Sequence, residues 1–294
     1  MSARHPIIAV TGSSGAGTTT AKHVFERIFD GLGIKAAFIE GDSFHAYDRE
    51  QMRALVEKAR IRGENFSHFG PGANLFDKLE KLFRDYGARG GGSVRRYLHT
   101  ETDAIEYGQP VGTFTPWAKL PADTDVLFYE GLHGGVVTSE VNVARHVDLL
   151  IGVTPIVNLE WIQKIRRDRE ERGQAPENVT RTILRRMPDY ITYITPQFSR
   201  TDVNFQRVPL VDTSNPFVDR EVPTAQESLV VIHFNLNSRI EADIGKLVDA
   251  IPGAFLSRST TMVVPGAVMD EAMETILKPE IANLFARRRR APRE

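Results

Sequence analysis

The sequence predicts a three-layer α/β fold, a sheet covered by helices on both faces, and three observations predict it. Short runs rich in β-branched and aromatic residues recur along the chain. Amphipathic stretches of helical period lie between them. The first run ends at a glycine-rich turn that leads straight into one of those amphipathic stretches.

Taken in order, Pro6 to Thr11 is a strand apolar enough to be buried on both faces. Ala21, Val24, Phe25, Ile28, Phe29 and Leu32 then follow helical spacing, with Gly33 where a C-terminal cap glycine belongs. Lys35 to Glu40 is the second strand, which closes a strand–loop–helix–strand unit with a right-handed crossover. Asp48 to Arg62 is expected to be helical. Asn74 is expected to cap a further helix with Leu75, Leu79, Leu82 and Phe83 on its apolar face and Gly87 near its end. From Gly87 to Asp125 the pattern weakens, and irregular structure is expected, with a short strand at Val94 to Leu98. Further strands are expected at Asp125 to Glu130, Val147 to Val153, Val208 to Asp212, Ser228 to Phe234 and Thr261 to Val264. A C-terminal helix is expected over about 267–290, and its four terminal arginines read as a solvated tail. No repeat or linker divides the chain, so a single domain over 1–294 is expected.

The bulk properties exclude several classes. A net charge of −1 over 294 residues argues against broad binding to nucleic acid or a membrane surface, so any anion site is local. With no cysteine, the chain has no disulfide, thiolate metal site or thiol switch of its own. No apolar run suits a signal peptide or a membrane span, which gives a cytoplasmic expectation.

The chemistry starts at the glycine turn "GSSGAGTTT", Gly12, Ser13, Ser14, Gly15, Ala16, Gly17, Thr18, Thr19 and Thr20. It has the skeleton of the phosphate-binding loop G-x-x-x-x-G-K-[ST], in which backbone N–H groups and a helix N-terminus converge on phosphates. The Thr18 or Thr19 hydroxyl can reach Mg²⁺. Thr18, however, stands where the pattern has lysine. An ammonium about 4 Å from a phosphate oxygen is worth roughly 4 kcal/mol at an effective dielectric of ~20, so another cation must supply it. The best source is "EWIQKIRRDREERG", Glu160 to Gly173. On a helix, Lys164, Arg167, Asp168, Glu171 and Arg172 share one face and can close over phosphates as a lid of about 155–175. Arg167 or Lys164 then acts as an in-chain arginine finger, although alternating charges also make an ordinary solvated ion-pair face.

Two acids complete the constellation. Glu130 ends an apolar strand and is followed by Gly131, as in the second phosphate-loop signature whose acid holds the metal. Asp42, in "EGDSFHAYDR", lies at the carboxyl end of the second strand, where open α/β sheets place ligands. It can accept a proton from an attacking hydroxyl, and His45 and Arg49 offer charge to an anionic substrate. An N-cap aspartate with surface neighbours is the plainer reading. Asp168 is left open between a second base, a metal contact and a partner for Arg172.

These residues, with "FSHFGPGANLF", "LFYEGLHGGVV", "ILRRMPDYITYITPQFSRTDVNFQRVPLVDTSNPF" and "MVVPG", resemble the bacterial-type (class I) phosphoribulokinases nearly end to end. That family belongs to the phosphoribulokinase/uridine kinase group of P-loop enzymes. The resemblance implies a nucleoside monophosphate kinase-like fold, with a mixed sheet flanked by helices and a mobile lid. It implies ATP-dependent phosphorylation of ribulose 5-phosphate to ribulose 1,5-bisphosphate, the CO₂ acceptor of the Calvin–Benson cycle, with Mg²⁺ held by Thr19 and Glu130. Asp42 then resembles the base for the C1 hydroxyl, His45 and Arg49 the sugar-phosphate contacts, and Lys164, Arg167, Asp168 and Arg172 the lid residues. His99 and Arg186 fall in matching segments. The family's octamer and its NADH and AMP effectors are implied too, but Gly31 and His233 stand where relatives carry arginine, while Arg258 is kept. Uridine and pantothenate kinases share the loop, the acid and the lid. A GTPase switch would carry N-K-x-D, which this sequence lacks.

Overall fold

The structure, a computed structural model, describes residues 5–12, 18–154, 156–218 and 221–290, with side chains for all of these except 18, 19, 171, 172 and 288–290. In chain order the elements are β1 (Ile7–Gly12), α1 (Thr18–Leu32), β2 (Ala36–Glu40), α2 (Arg49–Ile61), α3 (Phe76–Arg89), β3 (Ser93–Val94), α4 (Glu101–Tyr107), β4 (Ala118–Lys119), β5 (Val126–Gly131), β6 (Leu149–Thr154), α5 (Val157–Arg172), α6 (Pro176–Asp189), β7 (Val203–Pro209), β8 (Ser228–Phe234), α7 (Ile244–Ala250), β9 (Phe255–Arg258), β10 (Thr261–Pro265) and α8 (Met269–Arg290).

Eight strands form one mixed sheet in the order β2-β5-β1-β6-β7-β8-β10-β9. The first five run parallel, and β8, β10 and β9 add antiparallel pairs. Alternation along the strands sorts side chains into two layers. Ile8, Val10 and Phe128 face Val24, Phe25 and Ile28 of α1 together with Met273 and Leu277 of α8. Ile7, Ala9, Leu127 and Tyr129 face Leu79, Phe83 and Tyr86 of α3. The expected three layers are present, with β1 buried along its whole length at their centre.

Several boundaries differ from expectation. Asn74 does not cap α3. Leu75 takes the cap position, and the helix passes Gly87 to end at Gly90, whose φ of 69° is a left-handed conformation open to glycine. The stretch expected to be irregular contains α4, started by a reciprocal Thr100–Asp103 capping box. The strand expected at Val208 to Asp212 begins upstream at Val203, because Val203 and Phe205 point into the core while Leu210 and Val211 stand exposed. The 14-residue α6 and the short α7 and β9 are not among the expected elements. No helix among the described residues is long and apolar enough to cross a membrane.

Candidate active site

Parallel strands deliver the chemistry to one edge. The phosphate loop leaves the end of β1, Asp42 follows β2, Glu130 lies near the end of β5, and α5 follows β6. Val10, Glu130 and Glu40 are aligned across β1, β5 and β2. The turns after β2 and β5 touch backbone to backbone. A Cβ on Gly131 would stand 2.7 Å from the Gly41 Cα, and one on Gly41 would stand 2.5 Å from the Tyr129 hydroxyl oxygen. Only glycine fits at both positions, and the segments that carry Asp42 and Glu130 are thereby held against each other. Of the loop itself, Gly12 ends β1. Ser13, Ser14, Gly15, Ala16 and Gly17 lie outside the described residues, as do the side chains of Thr18 and Thr19.

Asp42 sits in a single 3₁₀ turn, Gly41–Phe44. Its Oδ1 is 3.1 Å from the His45 Nε2, and its Oδ2 is 3.6 Å from the His99 Nε2. Burial raises the Asp42 pKa, but the hydrogen bond and charge of His45, with His99 and His68, outweigh it and bring it down to about 2. His45 is itself buried, and its Nδ1 lies 2.9 Å from the Asn74 Oδ1. Burial pushes its pKa down, yet the Asp42 bond and charge and the Asn74 bond carry it above the ordinary 6.5. From the other side Arg95 donates to the carbonyls of Ser43 and His45, with its guanidinium stacked 3.6 Å from the Phe114 ring centroid.

Two further histidines back this cluster. The His68 ring lies 4.7 Å from that of His45, and its pKa falls to about 3 through burial, then the charges of His45, Arg186 and Lys164. His133, with its Nε2 3.0 Å from the Phe69 carbonyl, also falls to about 3, chiefly through burial. Both are neutral near pH 7. The charges of Lys164 and Arg186, on α5 and α6, are felt at His68, which stacks beside His45.

The two helices form a small unit with its own core of Ile165, Val179 and Ile183, against which Trp161 packs. At its base Glu160 accepts from the Tyr190 hydroxyl at 3.1 Å, and Asp189 accepts from the Ser67 hydroxyl at 2.6 Å. The Lys164 Nζ donates to the Asp168 Oδ2 at 2.5 Å, and the Arg167 Nε is 3.7 Å from Asp168 Oδ1. Asp168 is buried. Burial lowers the Lys164 pKa, Asp168 opposes the shift, and Arg186 and Arg167 add to it.

The structure therefore brings Asp42, His45 and His99 together in one group and Lys164, Arg167 and Asp168 in a second, with the charges of Lys164 and Arg186 reaching His68 beside the first. Arg49 opens α2, is exposed, and packs along Gly112, where a Cβ would meet it at 2.7 Å. The side chain of Arg172 lies outside the description. Away from this edge, a Cβ on Gly31 would find the Lys278 Nζ 3.9 Å away, while His233 and Arg258 both pair with Thr261 across β8, β10 and β9.

Sequence reasoning missed the supports. Asn74 has the residue type of a helix cap, yet its side chain holds His45 instead. Gln197, nearly wholly buried, makes four hydrogen bonds. Its Oε1 accepts from the Thr11 hydroxyl at 3.0 Å and the Gly135 N–H at 2.9 Å, and its Nε2 donates to the Leu132 and Tyr193 carbonyls at 2.8 Å each. Lys22, one helical turn beyond Thr18, pairs with Glu40 at 3.1 Å and adds a cation at the same edge.

A glycine-rich loop sequence after the first strand, an acid near the end of its neighbour and a cation-bearing helix pair after β6 fit a phosphate-loop kinase. The sequence model of the Phosphoribulokinase / Uridine kinase family matches residues 7–214, and the chain belongs to that family. It is 58% identical over 292 residues to the plasmid phosphoribulokinase of Cupriavidus necator, covering 99% of both chains. It is 56% identical to the probable phosphoribulokinase of Escherichia coli, over 97% of this chain and 98% of that one. The solved structure of phosphoribulokinase from Rhodobacter spheroides matches with a TM-score of 0.88 at 48% identity, covering 98% of this chain and all of the other.

Proposed function

We infer that this chain transfers the γ-phosphoryl group of ATP to the C1 hydroxyl of D-ribulose 5-phosphate, giving ribulose 1,5-bisphosphate. What carries the reading is end-to-end correspondence with phosphoribulokinases at 53–58% identity, with the substrate-facing segments included. The whole chain acts as one catalytic unit in this reading. ATP seats its phosphates on the loop from Gly12 to Thr19. Mg²⁺ suits the oxygen donors there, namely Glu130 and the Thr19 hydroxyl, with substrate phosphates supplying the rest. It would neutralise charge on the transferring group. Among the described residues no group of three His, Cys, Asp or Glu gathers as a metal cage, which fits a metal shared with the nucleotide.

Asp42 takes the proton of the C1 hydroxyl. His45, Arg49, His99, Arg172 and Arg186 serve the sugar phosphate, and Lys164 and Arg167 take up charge developing on the transferred group. Asp168, paired with Lys164 and beside Arg167, orients the two cations. The α5–α6 unit serves as the mobile lid. The protein works in the cytoplasm as a homo-oligomer, an octamer by likeness to its relatives. NADH or AMP control is weakened by Gly31 and His233.

Turnover of ATP with ribulose 5-phosphate, set against uridine, tests the assignment. Asp42→Asn is expected to lose at least about a hundredfold in kcat, since one general base contributes 10²–10⁴. Preference for uridine, or an undiminished Asp42→Asn, would refute it.

A further inference from the structure

Asn74 spends its amide in a way that fixes a proton on its neighbour. Its Nδ2 lies 2.8 Å from the His68 carbonyl and 2.7 Å from the Gly70 carbonyl. Both are acceptors only, so the amide cannot be turned round without setting oxygen against oxygen. Its Oδ1 is therefore the atom 2.9 Å from the His45 Nδ1, and that nitrogen carries a hydrogen. The backbone fixes the same register, because His45 and Asn74 form a bridge in which Leu75 N–H donates to Phe44 and Ala46 N–H to Ala73.

The second ring nitrogen then has no free choice. His45 Nε2 stands 3.1 Å from a carboxylate oxygen of Asp42. Without a hydrogen on Nε2, two lone pairs would face each other. The proton sits either on Nε2 or on Asp42.

We propose that Asn74 is a positioning residue that holds His45 as a doubly protonated imidazolium, the fixed cation against which the anionic end of the sugar substrate is received. The low pKa of Asp42 and the raised one of His45 agree with this geometry. The other groups facing His45 do not supply the second proton. His68 is neutral beside it, His99 reaches the far oxygen of Asp42, and Tyr97 presents only a ring. Arg95 adds repulsion, not attraction, and His133 is neutral. The two acceptors, Asn74 and Asp42, outweigh them.

The proposal rests on the reading of His45 as a substrate contact, and the test separates the two. Neutron diffraction of the full-length wild-type protein near neutral pH, without substrate, is expected to place deuterium on both His45 ring nitrogens. A bare Nε2, or deuterium on Asp42, would overturn the protonation state whatever the substrate. In steady-state kinetics, kcat/KM for ribulose 5-phosphate falls on the alkaline side as His45 loses its proton. Asn74→Leu is expected to move that limb toward acid by about one pH unit, since a lost hydrogen bond to a charged group is of that order. It leaves KM for ATP within about twofold. Asn74→Asp keeps an acceptor at Nδ1 and moves the limb the other way, even though it gives up the bonds to His68 and Gly70. An unmoved limb in both variants, or KM rising equally for both substrates, would reduce Asn74 to a structural role and sink the proposal. Should Asn74→Leu fail to fold, the deuterium positions and the Asn74→Asp limb still decide.

Discussion

Replacing Gln197 by leucine keeps nearly the same volume and deletes four hydrogen bonds at a residue 1% exposed. Not all four losses count equally. The Thr11 hydroxyl is already 3.3 Å from the Leu132 carbonyl and can turn to it, which satisfies both. Gly135 N–H keeps no such alternative, and the Tyr193 carbonyl loses its side-chain donor. A buried donor left bare costs about 1–3 kcal/mol, and the net loss of the remaining bonds adds about 1 kcal/mol, so about 3 kcal/mol is expected. For a chain of 294 residues the unfolding entropy is about 0.6 kcal/mol/K, which converts that loss into a fall of about 5 °C in Tm. Function is expected to suffer more than stability. Gln197 ties the end of β1, which feeds the phosphate loop, to the segment that follows Glu130 and to the chain leaving α6. Loosening it lets the two halves of the nucleotide site drift, and small misplacements are costly in phosphoryl transfer. Scanning calorimetry together with kcat/KM for ATP is the assay. A leucine variant melting within about 1 °C of wild type with full turnover would show that the three segments are positioned without Gln197.

Two further outcomes follow from the buried charges. Lys164→Met leaves the buried Asp168 without its 2.5 Å partner, so it is expected to lower both Tm and kcat. Adding Asp168→Asn is expected to recover most of the Tm and little of the kcat, and recovery of both together would assign the pair a purely structural role. His133 has a folded pKa of about 3, below its unfolded 6.5, so the unfolded chain binds the proton better. The stability held by the neutral ring is complete above pH 6.5 and declines as pH falls toward 3. Between pH 7 and 5 this one group costs about 2 kcal/mol. Denaturant unfolding at the two pH values measures it, and His133→Gln, which retains a donor for Phe69, is expected to flatten the dependence by that amount.

The sequence made the parallel half of the sheet legible because burial on both faces leaves long apolar runs ending in glycine or acid, as at Ile7–Gly12 and Val126–Gly131. The cation-bearing helix was legible for the same kind of reason: its charges repeat at three and four. What escaped was polar and tertiary. Gln197 lies in a short 3₁₀ helix and Asn74 at the end of another, and their roles exist only when segments more than a hundred, or about thirty, residues away are brought to them. Asn74 misled because the residue type that caps helices is the type that fixes a histidine tautomer, and nothing local distinguishes the two uses. The strand Val203–Pro209 was misplaced because Leu210 and Val211 are apolar but exposed, so local hydrophobicity pointed five residues downstream of the true start.

The loop's missing lysine is the point at which local and tertiary arguments meet. A lysine within the loop would travel with the nucleotide site in every state of the enzyme. Here the cations proposed to serve the phosphates ride on α5 and α6, a unit with its own small core, and Lys164 is paired with Asp168 from the same helix. Lys22 cannot stand in freely, because Glu40 already engages it. In the proposed mechanism the positive charge owed to the phosphates comes from this helix pair, with Lys164 shared between Asp168 and the transferred group. If the proposed lid closes as inferred above, charge stabilisation would be coupled to that closure: before it ATP would meet a weaker electrostatic field, and hydrolysis by water without the sugar would be disfavoured on the same ground that favours transfer.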